Sequence, residues 1–278
     1  MDKNILLVQP AWPIPRKSKW HAKYLPIGLL KLAAYYRNKG CAVKLVYGNV
    51  SPGDIPFVPD EIKITSLFTY WWHYVKSAFD HYTKLYPNAK IDIGGIYASL
   101  MPGHVKEVFG IQPTVGVLEE AERYQPAYDL VEPIDYQIIH ASRGCSRRCP
   151  YCGAWIIEPK QSFKTWEEIK KEICKRIVIF YDSDFLSNPN IEEILEGLAN
   201  YRYQGKVLHC EAQSGFAYWK ITPKIAKLIK KARFRAVRIS WDRGLNEMRG
   251  VIEALKNLKD AGYHYKNTQV FMLYNYYP

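Results

Sequence analysis

The sequence lacks any run approaching the roughly 18 apolar residues of a membrane-spanning helix, so no membrane span is expected. Cysteine is scarce, six in 278 residues, which excludes a disulfide scaffold in a chain of this size. Acidic residues are in deficit, 27 against 39 Lys and Arg, and the formal net charge is +12. The N-terminus, MDKNILLVQPAW, carries acidic Asp2 and too short an apolar stretch for a signal peptide, so a cytoplasmic protein is the expectation. What is present suffices for a folded chain. Hydrophobic residues make up 48% and charged residues 24%, and the length suits two domains better than one.

The positive charge is uneven. Residues 1–140 hold 15 Lys and Arg against 13 Asp and Glu, whereas residues 141–278 hold 24 against 14. A basic second half attracts nucleic acid, phosphorylated substrates or acidic partners, and equally describes a lysine-rich solvated surface.

The first half alternates strands and helices. Short apolar or alternating runs at Asn4–Gln9, Ala42–Tyr47, Glu61–Phe68 and Lys90–Ile93 read as strands, with Thr114–Val117 as one more. Ile27–Asn38, Tyr74–Tyr86 and Pro102–Phe109 read as helices, and a loop rich in Pro and Trp fills Pro10–Pro26. Such alternation implies a parallel sheet wound on both faces, with ligands at the carboxyl ends of its strands. Gly94-Gly95 lies at such an end, where backbone without side chains admits a ligand or simply makes a tight turn. This domain is assigned to residues 1–119. Residues 120–135 have no clear period and read as a linker.

The second domain, residues 136–278, repeats a strand-helix unit. Strands are expected at Tyr136–Ala141, Ile177–Tyr181, Lys206–Cys210, Ala236–Ser240 and Gln269–Tyr274. Helices are expected at Trp166–Arg176, Ile191–Tyr201, Thr222–Ala232 and Glu247–Ala261. Thr165 with Glu168 forms a capping-box pattern. Lys224, Lys227 and Lys231 fall on the solvated side of their helix. The pattern is that of a parallel β/α barrel or part of one. Chemistry then belongs at the carboxyl ends: Cys145, Asp182, Asp184, Glu211, Gln213, Asp242 and Asn275.

The most specific chemistry lies in Ser142-Arg-Gly-Cys145-Ser-Arg-Arg-Cys149-Pro-Tyr-Cys152-Gly. Three thiolates at this spacing can wrap one compact inorganic centre. A cubane [4Fe-4S] cluster usually takes four cysteines, so three leave one iron open to a substrate or cofactor. A structural zinc site normally needs a closed set of four. No fourth ligand is evident, since Cys174 and Cys210 lie elsewhere and His140 is upstream on the strand. Arg143, Arg147 and Arg148 surround the thiols with positive charge and are expected to lower thiol pKa.

CSRRCPYC resembles the CxxxCxφC signature of the radical S-adenosylmethionine (SAM) superfamily, with Tyr151 as the aromatic and the expected place after a first barrel strand. The resemblance implies a [4Fe-4S] cluster on Cys145, Cys149 and Cys152 and SAM chelated to the open iron. It implies reductive cleavage to a 5′-deoxyadenosyl radical, and an electron donor such as flavodoxin or ferredoxin. It also points to Asp182, Ser183 or Asp184 for the methionine amino group, where these residues could instead cap the next helix. Glu211 and Gln213 are implied for the ribose or methionine, and Arg238 and Ser240 for the methionine carboxylate. The alternative for Arg238 is an interior ion pair with Glu211.

A doubly wound domain ahead of a radical barrel is similar to the cobalamin-binding-domain class of that superfamily. Ser66-Leu67 and Gly94-Gly95 match two of its cobalamin motifs, while the DxHxxG motif for an axial histidine is absent. Cobalamin at Ser66, Gly94 and Gly95 is therefore an implication of the resemblance, as is methyl transfer to an unknown substrate. A barrel of this superfamily usually has six strand-helix units and five strands are counted, so a fragment of a longer protein is expected. The competing reading is a non-catalytic protein, stabilised by zinc or a cluster, whose basic half binds nucleic acid.

Overall fold

A computed structural model of the chain describes residues 3–13, 25–274 and 276, and divides it into two compact units, 1–133 and 134–278. Asn275 and Tyr277, together with Trp20, lie outside the described residues.

In the first unit, strand β1 (Asn4–Gln9) is apolar on both faces because both faces are covered. Ile5 and Leu7 pack with Leu29, Leu30 and Ala33 of helix α1 (Ile27–Asn38). Leu6 and Val8 pack on the other side with Val75, Ala78 and Tyr82 of α2 (Trp72–Leu85). Strands β2 (Ala42–Tyr47), β3 (Glu61–Ser66) and β4 (Lys90–Gly95) complete a parallel sheet in the order β2-β1-β3-β4. Helices α3 (Ile96–Leu100) and α4 (Pro102–Phe109) follow β4, and Val105 and Phe109 of α4 enter the same core as α2.

The expected strand at Thr114–Val117 is not formed. Thr114 makes one backbone bond to β4, its N–H to the Ile93 carbonyl at 2.9 Å, and its hydroxyl donates to Asp92 at 2.8 Å, but Gly116 then turns away with φ of 80°. Much of the segment 120–135, read as a linker, packs on α1. Lys31 pairs with Glu122 at 2.6 Å and Arg37 with Asp129 at 2.8 Å. Tyr35 donates to Glu120 at 2.8 Å, and Ala127 joins the α1 core.

In the second unit, β5 (Tyr136–Ile139), β8 (Ile177–Phe180) and β11 (His209–Ala212) form a parallel sheet in that spatial order. Between β5 and β8 lie a short antiparallel pair, β6 (Ser142–Arg143) with β7 (Ser162–Phe163), and helices α5 (Ala154–Ile157) and α6 (Trp166–Glu172). Helix α7 (Ile191–Asn200) leads to a hairpin of β9 (Arg202–Tyr203) and β10 (Lys206–Val207). A second parallel sheet holds β12 (Phe216–Ala217), β13 (Val237–Trp241) and β14 (Thr268–Met272), with α8 (Pro223–Lys231) and α9 (Met248–Asp260) between. A parallel bridge between Cys210 and Phe234 joins the two sheets.

Alternation within the strands sorts the side chains. Val178, Phe180, Cys210, Ala212, Val237 and Ile239 share one core with α6, α7, α8 and α9, so Glu211, Arg238 and Ser240 lie on the other face.

Three expected boundaries move. Helix α6 stops at Glu172 rather than Arg176 because buried Gln137 accepts the Cys174 and Lys175 N–H groups, each at 2.6 Å. The third strand begins at His209 because Gln204 and Gly205, with φ of 49° and 75°, turn Lys206-Val207 into the hairpin. Glu211 therefore lies within a strand rather than after one. The Thr165–Glu168 capping box forms, and Thr222 caps α8 through the Ile225 N–H at 3.2 Å.

Gly197 of α7 exists to admit Trp166. A Cβ there would stand 2.2 Å from the indole ring. Gly197→Ala is expected to lower the unfolding free energy of the protein by about 1–3 kcal/mol despite the better helix propensity of alanine. A urea midpoint equal to or above that of the unaltered protein would show that the ring can move aside.

Candidate functional site

The cysteine loop begins where β5 stops pairing. The N–H groups of Ala141 and Ser142 both donate to the carboxylate of Asp182, two residues past the end of β8. Asn188, itself buried, donates to the Ala141 carbonyl at 3.0 Å and the Lys164 carbonyl at 3.1 Å. A second carboxylate, Glu158, accepts the Gly144 N–H at 2.8 Å and pairs with Arg143 at 2.6 Å. Gly144 has φ of 74°, and a Cβ on it would lie 2.3 Å from the Lys160 carbonyl, so only glycine makes this turn.

Beyond Gly144 the three cysteines are half-buried free thiols on one loop. Cys145 senses the charges of Cys149, Cys152 and Asp184. The Cys152 N–H donates to the Cys149 carbonyl at 3.0 Å, and the Cys152 Sγ accepts the Ala154 N–H at 3.4 Å. Trp155 Nε1 donates to the Cys149 carbonyl at 3.1 Å. Among the described residues, no three His, Cys, Asp or Glu side chains converge as ligands of one metal ion.

The expected lowering of thiol pKa by arginine does not hold at Cys145. Burial pushes that thiol up, and the neighbouring carboxylate and thiols push the same way. The arginines are engaged elsewhere. Arg143 holds Glu158, Arg147 pairs with Asp242 at 3.3 Å and lies over Trp219, and Arg148 lies over Trp155. Burial likewise raises the Tyr151 phenol, reinforced by its hydrogen bonds with Cys149 and Asp242, and its ring meets Tyr276 edge-on at 5.3 Å.

The other expected site residues fall into two sets. Glu211 and Arg238 form the interior ion pair, 2.7 Å apart with side chains 5% and 14% exposed. Arg238 also donates to the Ala212 carbonyl at 3.2 Å. Ser240 stands on the same face of β13 two residues on, and the buried Oε1 of Gln213 has no hydrogen-bond partner among the described residues. Asp182 and Asp184 are more committed. Both Asp182 oxygens accept backbone N–H groups, and Asp184 accepts from the Ser187 hydroxyl at 2.6 Å.

Sequence reading missed Glu158, Asn188 and Glu247, which accepts the N–H groups of Asp242 and Arg243 at 2.9 Å each. None sits at a motif spacing. Glu158 alone left a trace, as the one acid between Gly144 and Thr165.

In the first unit, the Ser66 hydroxyl donates to the Gly94 carbonyl at 2.7 Å and accepts the Ala98 N–H at 3.1 Å. Gly95 has φ of 99°, and a Cβ there would lie 2.3 Å from the Ser66 carbonyl. The three residues thus meet in one turn whose free space is filled by its own backbone. Trp12 stacks on Trp71 at 5.7 Å beyond β1, and Tyr97 is fully buried. Two buried polar atoms at this carboxyl end, Gln9 Oε1 and Trp12 Nε1, have no hydrogen-bond partner among the described residues.

Residues 139–276 match the sequence model of the Radical SAM superfamily, which spans nearly all of the second unit. The chain belongs to that superfamily of enzymes through this unit. No curated protein matches the sequence. Among solved structures, the fold is similar to that of TsrM from Kitasatospora setae, a radical S-adenosylmethionine methyltransferase with cobalamin and a [4Fe-4S] cluster bound. The TM-score is 0.72 at 15% identity, covering 98% of this chain and 69% of that one. It is also similar to OxsB, a cobalamin-dependent S-adenosylmethionine radical enzyme with aqua-cobalamin and S-adenosylmethionine bound. There the TM-score is 0.71 at 14% identity, covering 98% of this chain and 49% of that one. No helix among the described residues is long and apolar enough to cross a membrane.

Burial raises the Asp182 pKa to about 7, against the pull of its two backbone donors. An ordinary aspartate titrates near 3.9, so between about pH 4 and pH 7 the folded protein holds a proton that the unfolded chain has released. The contribution of Asp182 to stability is therefore largest below that window and falls as pH rises through it. Asp182→Asn is expected to flatten the decline in urea midpoint between pH 5 and pH 8. Parallel pH profiles for the two proteins would refute this assignment.

Proposed function

We propose that the second unit binds a [4Fe-4S] cluster on Cys145, Cys149 and Cys152 and cleaves S-adenosylmethionine reductively. The observation that carries this reading is the CxxxCxφC loop, with three cysteines free of disulfides, at the head of a radical SAM domain. The donor set fits the group. A cluster takes one sulfur per iron corner, so its ligands need not converge on a single point as those of one ion must. Bound together, cluster and SAM would supply a radical able to abstract hydrogen from substrate.

The residues of the chain have distinct parts in this reading. Asp182 and Glu158 brace the backbone on the way into the loop. Tyr151, whose phenol lies beside Cys149 and Asp242, supports the loop next to the cofactor in this reading. Gln213 Oε1, a buried acceptor with no hydrogen-bond partner among the described residues, is offered to a donor such as the methionine amino group or a ribose hydroxyl. Arg238 offers its charge to the methionine carboxylate only by sharing it with Glu211, so that pair sets how much positive charge SAM meets. Asp184 acts on Cys145 through space, and Ser240 lines the same face as Arg238.

Anaerobic reconstitution tests this reading. The protein is expected to turn brown with about four irons per chain, and with a reductant to convert SAM to 5′-deoxyadenosine. Cys149→Ser is expected to abolish both. A colourless protein that takes up zinc instead would end the proposal and favour a structural metal site.

We propose further that the first unit is a cobalamin-binding-type domain with the ligand at the carboxyl ends of β1, β3 and β4. Support comes from the fold likeness over 98% of the chain to two cobalamin-containing proteins, and from the unpartnered Gln9 and Trp12 atoms at that edge. A corrin is fringed with amide groups, which could satisfy both. Ser66, Gly94 and Gly95 then shape the turn beside the ligand rather than leave a gap for it. Titration of the protein with hydroxocobalamin is expected to give a saturable spectral change and co-elution on gel filtration. Absence of both removes cobalamin from the mechanism and leaves the cluster reading intact. Production of S-adenosylhomocysteine alongside cobalamin binding would identify methyl transfer.

A further inference from the structure

The amino ends of the strands in the second unit carry positive charge that the cofactor reading does not use. Because β8, β11 and β13 run parallel, Arg176, His209 and Arg235 come together at the edge opposite the cysteine loop. Arg176 precedes β8, His209 opens β11, and Arg235 precedes β13 and donates its N–H to the Cys210 carbonyl at 2.8 Å. The contacts are close. Arg176 Nη2 lies 2.9 Å from His209 Nε2, while Arg235 Nη2 lies 2.9 Å from Nδ1 and 3.1 Å from Nε2 of the same ring. The two guanidinium nitrogens are therefore no further apart than these two contacts to Nε2 laid end to end.

A neutral imidazole has one acceptor nitrogen and one N–H. With Nε2 protonated, Arg176 faces a ring N–H; with Nδ1 protonated, Arg235 faces one and the two guanidinium groups share the single Nε2 lone pair, so in either tautomer one guanidinium meets a ring N–H. A third guanidinium, Arg233, also acts on the ring. His209 is held below its ordinary pKa by burial and then by Arg235, Arg176 and Arg233. Among the described residues, Arg176 and Arg233 bond only neutral groups. Arg176 Nε donates to the Val207 carbonyl and Arg233 Nη1 to the Ala199 carbonyl, both at 3.1 Å. These bonds fix the positions of the Arg176 and Arg233 guanidinium groups without bringing them a counter-charge.

We propose that Arg176, Arg235 and His209 form a binding site for a small phosphate-class oxyanion, with Arg233 adding to the field. A tetrahedral anion offers oxygens to two forked guanidinium groups and to a ring N–H at once, whereas the two oxygens of a carboxylate suit a single fork. The site lies at the end of the strands away from the cysteine loop, so its ligand is distinct from the proposed cofactors.

Isothermal titration of the full chain with inorganic phosphate and with pyrophosphate, at constant ionic strength, tests the proposal. Saturable one-site binding of at least one anion is expected. Arg176→Gln and Arg235→Gln should each weaken it tenfold or more, and Lys227→Gln on the exposed face of α8 should leave it unchanged. Arg176→Lys, which keeps the charge and loses the fork, should weaken binding by a smaller factor and serves if a glutamine variant fails to fold. Failure of both anions to saturate, or equal losses in the Lys227 variant, would overturn the site. Binding of single-stranded RNA with neither small anion bound would overturn it as well and point to a nucleic-acid surface instead.

Discussion

The cysteine loop depends on the carboxylate of Asp182. When β5 stops pairing with β8, the N–H groups of Ala141 and Ser142 lose their strand partners while still inside the protein. Unpaired, each would cost on the order of 1–3 kcal/mol, and a neutral amide side chain has only one oxygen to offer. A carboxylate has two, and the cost is its own desolvation, visible as a pKa raised to about 7. Glu158 repeats the device one step on, at Gly144 and Arg143. The backbone is thus held by two acids on entry, and no disulfide claims the thiols beyond it. The interior Glu211–Arg238 pair follows the same logic, since removal of either partner would strand a charge on the inner face.

In both units the candidate site lies at the carboxyl ends of parallel strands, yet those ends are built differently. In the second unit the loops are long and braced by side chains. In the first, Ser66 and Gly95 close on each other so tightly that the turn is filled by its own backbone. A glycine pair after a strand can make room for a ligand or for another stretch of backbone, and here the nearest claimant is Ser66. What remains unsatisfied at that edge belongs to β1 and its sequel, in Gln9 and Trp12.

Much of this was legible in the residues. The apolar run NILLVQ announced a strand buried on both sides, and Thr165 with Glu168 announced the start of α6. The end of α6 was not legible, because it is set by Gln137, which lies more than thirty residues earlier. The third strand slipped toward Ala212 because the Gln204-Gly205 turn, a weak signal in sequence, claimed Lys206 and Val207 for a hairpin. Burial, which no motif records, pushes the Cys145 thiol up, while Arg143, Arg147 and Arg148 are engaged by Glu158, Asp242 and the indoles of Trp219 and Trp155.

By itself the sequence determined the alternation of strands and helices, the cysteine spacing and the superfamily, because periodicity and ligand spacing are local properties of the chain. Only the tertiary structure decided what each polar side chain does. Asp182, Asp184 and Glu211 look alike in sequence, as acids near strand ends. Folding gave the first to two backbone donors, the second to Ser187, and the third to Arg238. It also gathered Arg176, His209 and Arg235 from three separate strands onto one edge. The physical reason is that a buried polar atom must find a partner, and in a parallel sheet its partners come from strands that the sequence separates by thirty residues or so.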